Sequence, residues 1–221
     1  MRDGIGGIGM KRRVAFAIKR SIDVIGGGVL LLMTAPLLGL AMLAILLSSG
    51  RPVLYRGERW GKNERPFVCL KLRTMCVDQK ARLEAAGLAE FGDDGRTLVF
   101  ADDVRIDKVG RLLRKLSIDE LPQLVNVIRG EMSLIGPRPL VPSMLEDHRD
   151  LSAARAVVRP GMSGLWQVRN RQSNISLLDM IDDDLDYIRN FSLMLDLRIA
   201  LLTLPRLIEP APAGESGARF T

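Results

Sequence analysis

Residues 24–47 read VIGGGVLLLMTAPLLGLAMLAILL, and the way this run sits decides the architecture of the remaining chain. No residue from Val24 to Gly50 is charged. The run is longer than a core helix or the apolar part of a signal peptide requires, and no A-x-A-like cleavage site comes after it, so it is expected to stay in the protein and enter a membrane. Pro36, at its middle, cannot donate to the carbonyl of Leu32, which predicts a kink. The Thr34 hydroxyl is at hand to satisfy part of the freed backbone. Each half then reaches roughly 18 Å at about 1.5 Å per residue, short of a ~30 Å hydrocarbon core. Lys11, Arg12, Arg13, Lys19 and Arg20 precede the run, and Arg51, Arg56, Arg59 and Lys62 come after it. Both flanks therefore qualify for the cytoplasmic side. A bent helix that enters and leaves by one face satisfies both, and a kinked spanning helix is an equal alternative on these grounds. Asp23 is placed to pair with Lys19 or Arg20 rather than face lipid.

Around this run, 221 residues leave room for one domain. A hydrophobic content of 47% excludes disorder, and a net charge of +6 with a pI of about 9.7 suits a membrane surface or an anionic partner. Cys69 and Cys76 are the only cysteines, which excludes a disulfide scaffold and suits a reducing compartment. His148 is the only histidine, so zinc modules are excluded, as are His-dependent triads that do not use it. The opening GIGGIG matches G-x-G-x-x-G at Gly4, Gly6 and Gly9, but no strand precedes it and the next acid after it is Asp23, so a flexible tail is expected.

Downstream, Pro52–Glu58 and Phe67–Arg73 read as a hairpin around Gly61 and Asn63. Residues 78–88 are helix-like and residues 92–95 a loop. Val109, Leu112, Leu113 and Leu116 space a basic amphipathic helix, and Leu121, Leu124, Val125 and Ile128 a second that stops at Gly130. Turns are expected at 137–142 and 159–164, and a final helix over 179–204 closed by Pro205. The fold class is α+β, helix-dominated: a tail at 1–18, the membrane helix at 19–50, a catalytic domain at 51–209 with a small hairpin and amphipathic surface helices, and a disordered tail at 210–221.

The chemistry concentrates at Ser117-Ile118-Asp119-Glu120-Leu121-Pro122-Gln123, where two carboxylates open a helix just after a basic one. Ser117 and Glu120 also fit a capping box, which on this segment alone is the favoured reading. The functional alternative uses the same geometry. An ionised carboxylate beside a phosphate-attracting helix start can act as nucleophile or as ligand for Mg²⁺. Repulsion from phosphate must then be cancelled by metal and nearby cations. Lys71 and Arg73 share one strand face, Arg114 lies five residues before Asp119, and Gly136-Pro137-Arg138-Pro139 restrains one arginine for phosphate contact. Cys69 and Cys76 read as packing thiols and His148 as a solvated residue. Trp166 and Gln167 are candidates for a nucleotide base, with packing an equal explanation of Trp166. The glycosylation patterns at Asn174 and Asn190 would go unused in a cytoplasm-facing chain.

Lys19-Arg20-Ser21-Ile22-Asp23, Lys71-Leu72-Arg73-Thr74-Met75, Ser117 to Gln123, Arg129-Gly130-Glu131-Met132-Ser133, Gly136-Pro137-Arg138-Pro139, Pro160-Gly161 with Gly164-Leu165-Trp166-Gln167-Val168, and Tyr187…Ser192…Leu195-Asp196-Leu197 occur in that order. Together they resemble the bacterial sugar transferase family, the monotopic phosphoglycosyl transferases of polyprenol-linked glycan assembly, from about Lys19 to Leu204. The resemblance implies transfer of a sugar 1-phosphate from a UDP-sugar to undecaprenyl phosphate at the cytoplasmic face of the bacterial inner membrane. Asp119 would form a covalent phosphosugar intermediate and hold Mg²⁺, and Glu120 would complete the dyad. Lys71, Arg73, Arg114, Arg138, Gln167 and Asp196 would bind phosphate or substrate. It also implies a re-entrant helix broken at Pro36, which decides between the two membrane readings. Nucleic acid is not among the expected partners, and self-pairing to a homodimer is left open. Ala35 stands where some members carry serine, and Asn170 where hexose-specific relatives carry glycine. The Trp-Gln-Val form is similar to glucose- or galactose-phosphate transferases. The competing class is a membrane-anchored basic adaptor that binds anionic lipid or an acidic partner.

Overall fold

The computed structural model describes residues 10–85, 103–169 and 176–208. The apolar run lies in α1, Met10–Ser49, so the helix begins nine residues before Lys19, inside the stretch expected as a tail. Its most apolar 18-residue window has a mean hydropathy of 2.5 and is only 11% buried, which no core helix would tolerate in water. Pro36 lies inside one continuous helix rather than at a break between two. Thr34 Oγ1 donates to the Leu30 carbonyl at 2.7 Å, so the hydroxyl serves the turn before it and not the Leu32 carbonyl that proline strands.

Both ends of α1 rest on the same globular body, while its middle (Leu30, Leu32, Met33, Leu37) is exposed. At the first end Lys19 pairs with Asp196 at 2.6 Å. Arg20 donates to the carbonyls of Val127 and Ile128. Asp23, buried, accepts from the Ser133 hydroxyl and the Leu134 N–H rather than pairing with Lys19 or Arg20. Close approach here depends on Gly27, where an added Cβ would stand 3.2 Å from Val127. At the second end Ala41 and Ile45 pack against Leu72 and Leu113. Each large apolar side chain buried in this way contributes about 1.5–3 kcal/mol. The helix ends at Gly50, whose φ of +70° is left-handed.

The hairpin forms two residues later than its sequence suggests on the first strand, and one earlier on the second. β1 (Leu54–Trp60) pairs antiparallel with β2 (Pro66–Leu72) around a turn in which Asn63 and Glu64 take positive φ. Wholly buried Asn126 stands in for a third strand: its Oδ1 accepts from the Leu70 N–H at 3.0 Å and its Nδ2 donates to the Val68 carbonyl at 2.7 Å. α2 comes next at Gln79–Ala85, and residues 92–95 lie outside the described residues. α3 (Lys108–Lys115) is capped by the Asp107 carboxylate, which accepts from the Gly110 N–H. Its expected apolar stripe splits, because α1 covers only the edge carrying Val109 and Leu113 and leaves Leu112 and Leu116 exposed.

α4 (Gln123–Arg129) ends at left-handed Gly130, where the sequence places its stop. β3 (Ser133–Ile135) pairs in parallel with β4 (Gly161–Ser163), a short ladder. The backbones meet so closely that a Cβ on Gly161 would lie 2.1 Å from the Gly136 nitrogen. Between them runs α5 (Arg149–Arg155), and after them α6 (Leu165–Arg169). The single helix expected over 179–204 is two, α7 (Leu177–Arg189) and α8 (Leu193–Ile208). Asn190 closes the first by bonding back to the Asp186 carbonyl, and the Ser192 hydroxyl opens the second by accepting from the Leu195 N–H. Pro205 lies inside α8 rather than ending it. The stretches 1–9, 170–175 (with Asn174) and 209–221 lie outside the described residues.

Candidate active site

The segment between α3 and α4 does not form the capping box that Ser117 and Glu120 spell. Ser117 adopts φ 54°, ψ 21° and makes no side-chain cap bond. An N-cap residue needs extended backbone to aim its hydroxyl at the N–H groups ahead of it, and a left-handed serine does not provide it. The left-handed conformation costs of order 1–3 kcal/mol. What it achieves is separation of the two acids on a 3-10 turn, Ile118–Glu120, ahead of the helix. Asp119 turns inward and is 9% exposed. Glu120 faces β2, where Lys71 Nζ meets it at 2.6 Å.

The two carboxyls are driven in opposite directions. Burial raises Asp119 to about 6, helped by the neighbouring Glu120 charge and opposed by Lys71 and Arg114. Among the described residues no other side chain donates to it. Burial acts on Glu120 in the same sense, but Lys71, Arg138 and Arg114 outweigh it and hold that acid below the usual carboxylate range. Glu120 is thus a fixed anion, while Asp119 is an acid close to its titration midpoint near neutrality, with cations beside it but no ion pair of its own.

A small cleft of about 50 Å³ opens beside Glu120, between β2 and the Gly136–Pro139 turn. Lys71, Arg138 and Gln167 line it together with Arg59 and Gln123. The Arg138 guanidinium lies 4.8 Å from the Trp166 ring centroid, a cation–π contact that accounts for the tryptophan. Arg114 is tied by its Nε to Thr74 Oγ1 at 2.7 Å. Cys69 lines the same cleft with its thiol raised by burial, and so stays a packing residue.

Two candidates are placed elsewhere. Arg73 is buried, and its Nη2 caps the end of α1 by donating to the carbonyls of Ser49 and Gly50. Asp196 lies between α1, α7 and α8, taking Lys19 on one oxygen and the Tyr187 hydroxyl, at 2.7 Å, on the other. Burial raises its carboxyl against the pull of Lys19 and Tyr187.

Sequence reasoning passed over Arg59, Gln123 and Asn126. Arg59 appears as one more membrane-flanking cation, and Gln123 as the last residue of a motif read for its acids. Asn126 carries a usable signal: it stands between Leu124-Val125 and Val127-Ile128, and a polar residue inside an apolar run needs buried partners. For Mg²⁺ the donors are sparse. Among the described residues no group of three or more His, Cys, Asp or Glu could hold a metal. Mg²⁺ commonly binds through one or two carboxylates plus substrate phosphates, so Asp119 fits a cation that arrives with its substrate rather than one held by the protein alone.

The sequence pattern of the family described as bacterial sugar transferase matches residues 14–210. The chain is 39% identical over 203 residues to the exopolysaccharide production protein ExoY of Rhizobium meliloti (strain 1021), covering 89% of this chain and 88% of that one. It is 43% identical over 198 residues to a UDP-glucose:undecaprenyl-phosphate glucose-1-phosphate transferase of Caulobacter vibrioides, covering 86% and 69%. It is 41% identical over 200 residues to an undecaprenyl-phosphate glucose phosphotransferase of Komagataeibacter xylinus, covering 86% of this chain but 36% of that longer one.

Proposed function

The chain belongs to the bacterial sugar transferase family, and from that premise we propose that it transfers a hexose 1-phosphate from a UDP-sugar to undecaprenyl phosphate, opening the assembly of an exopolysaccharide or related glycoconjugate. The relatives named for glucose transfer support the hexose. The observation that carries the reading is Asp119: buried, raised to about 6, and left without a partner of its own beside the Glu120–Lys71 pair. A carboxylate so placed is not stabilising the fold. It is available to attack.

In the first step an Asp119 oxygen attacks the β-phosphorus. The bond from that phosphorus to the bridging oxygen breaks, and UMP leaves with the electron pair. In the second, an oxygen of the lipid phosphate attacks the same phosphorus, displaces the Asp119 carboxylate and forms the lipid diphosphate sugar. The lipid phosphate attacks as its dianion, and Glu120, kept ionised by Lys71, holds Lys71 in place to position it. Lys71, Arg114 and Arg138 offset the phosphate charge near the two acids. Mg²⁺ bound with the substrate at Asp119 would supply further charge neutralisation.

The membrane reading rests on α1. One globular body touches the helix near Lys19 and again near Ile45, which supports both basic flanks lying on the same, cytoplasmic face, with the exposed apolar middle of the helix entering the inner membrane between them. A spanning helix would put a bilayer between them. Incubation with UDP-glucose and undecaprenyl phosphate should release UMP and leave a hexose-phosphate adduct on Asp119 by mass spectrometry. An adduct on another side chain, or turnover with none, would overturn the mechanism. Impermeant labelling of residues 1–20 and 51–75 from opposite sides would overturn the membrane reading.

A further inference from the structure

The turn that carries Arg138 leaves that residue's own peptide to be fixed from elsewhere. The flanking Pro137 and Pro139 fix their own φ angles, and Pro139 has no N–H, so the turn offers few backbone donors of its own. A second, water-sized crevice of about 20 Å³ lies against the other side of Arg138, bounded by Trp60, Ser152, Arg155 and Val158. On either side of Arg138 the turn is pinned by the Gly136 N–H on the Ser163 carbonyl and the Gly161 N–H on the Pro137 carbonyl, each at 2.8 Å, which leaves the Arg138 peptide itself to be held. What reaches across is Arg155, from α5. Its Nη2 donates to the Arg138 carbonyl at 2.7 Å. The same guanidinium holds Asp184 of α7, with Nε at 3.0 Å and Nη2 at 2.5 Å from Asp184 Oδ2.

This pair is buried, its side chains 7% and 0% exposed. Buried ion pairs are seldom better for stability than apolar side chains of equal volume. This one is not arranged for stability either, since Asp184 Oδ1 has no partner among the described residues. An apolar pair could fill the space but could not grip a peptide carbonyl. Arginine can do both because its planar fork presents several donors in fixed directions, whereas lysine offers one compact ammonium. Burial raises the Asp184 carboxyl to about 6, against the pull of Arg155 and of the Arg138 peptide.

We infer that Arg155 and Asp184 are positioning residues for Arg138: from the core they fix the peptide that aims its guanidinium across Trp166 at the donor cleft. The inference rests on the proposed reaction only in that Arg138 serves phosphoryl transfer. Arg155→Lys keeps a cation opposite Asp184 and gives up the fork. In full-length protein in nanodiscs with undecaprenyl phosphate, it should lower kcat/KM for UDP-glucose about tenfold. In an Arg138→Ala background the same substitution should change kcat/KM less than twofold, because its effect passes through Arg138. Asp184→Asn should behave in the same way. Equal losses in both backgrounds, or no loss with Arg138 present, would overturn the inference.

A second readout needs no turnover. In a Trp60→Phe protein, whose only tryptophan is then Trp166, Arg155→Lys should move the emission toward that of Arg138→Ala; unchanged emission overturns the positioning role. A wild-type protein that releases no UMP from any UDP-sugar defeats the functional reading instead, and the fluorescence still decides this one.

Discussion

Two lysine–carboxylate pairs invite comparison. Lys19 meets Asp196 and Lys71 meets Glu120, each at 2.6 Å, with side chains 11% and 13% exposed in the first pair and 25% and 28% in the second. Chemically they are the same contact. Around Asp196 the account closes: one oxygen takes Lys19, the other takes Tyr187, and the nearby Asp23 is occupied by Ser133 and Leu134. Around Glu120 it does not close, because Asp119 stands next to it with no side-chain donor. A structural ion pair satisfies its neighbourhood. The pair in the cleft satisfies only itself and leaves a second acid without a side-chain donor.

The sharpest way to break this contrast is Asp119→Asn. UMP release should fall at least about 10³-fold, since the attacking group is gone. The fold should not suffer. A folded carboxyl near 6 against an ordinary 3.8 favours folding only while protonated, so that benefit is full below about pH 4 and lost as the pH rises through 6. The asparagine variant should therefore unfold at higher temperature than the wild type at pH 7.5, by about 1–3 kcal/mol in stability, with the difference vanishing near pH 4. A variant less stable at pH 7.5 would mean Asp119 is structural after all.

Asp196→Asn should do the reverse. It strands Lys19 in a buried site at a cost of about 3 kcal/mol, read by chemical unfolding in micelles, while kcat per folded molecule stays within about twofold. A loss of kcat at unchanged stability would move Asp196 into the active site. Smaller is the pH effect on the wild type. In the proposed mechanism only ionised Asp119 attacks, so the initial rate of UMP release should fall tenfold per pH unit below about 6. Raising Mg²⁺ should shift that midpoint down, and chelation should abolish the rate. A midpoint indifferent to Mg²⁺ would separate the cation from Asp119. Smallest is Arg73→Gln, which loses the cap on the end of α1, about 1–2 kcal/mol; the KM for UDP-sugar should not change.

What could be read ahead of the structure was local. The uncharged run, the hairpin around Gly61 and Asn63 and the stop at Gly130 each arise from a pattern a few residues long. The acids at 119 and 120 were visible for the same reason, but their divergence was not: it depends on Ser117 turning left-handed, which no spacing records. Arg73 was assigned to the face of Lys71 by strand alternation, yet β2 ends at Leu72, and beyond its last residue the alternation has no force. Asp196 shows the opposite limit, since its lysine lies 177 positions away. The long final helix was divided by one serine hydroxyl, a cap too brief to outweigh the apolar periodicity on either side.

The anchoring of α1 has a last consequence. Arg12, Lys19, Arg20 and Asp23 all bond into the domain, so the first half of the helix is a keel rather than a mooring line. On the proposed reading nothing slack separates bilayer from chemistry, and the rigid draught of the protein sets the depth at which the reacting phosphorus would ride. An insertion that lengthens a leash should be harmless in a tethered enzyme. Here, two extra residues between Asp23 and Gly26 would swing the apolar stripe away from the hull and lift the whole vessel off its waterline.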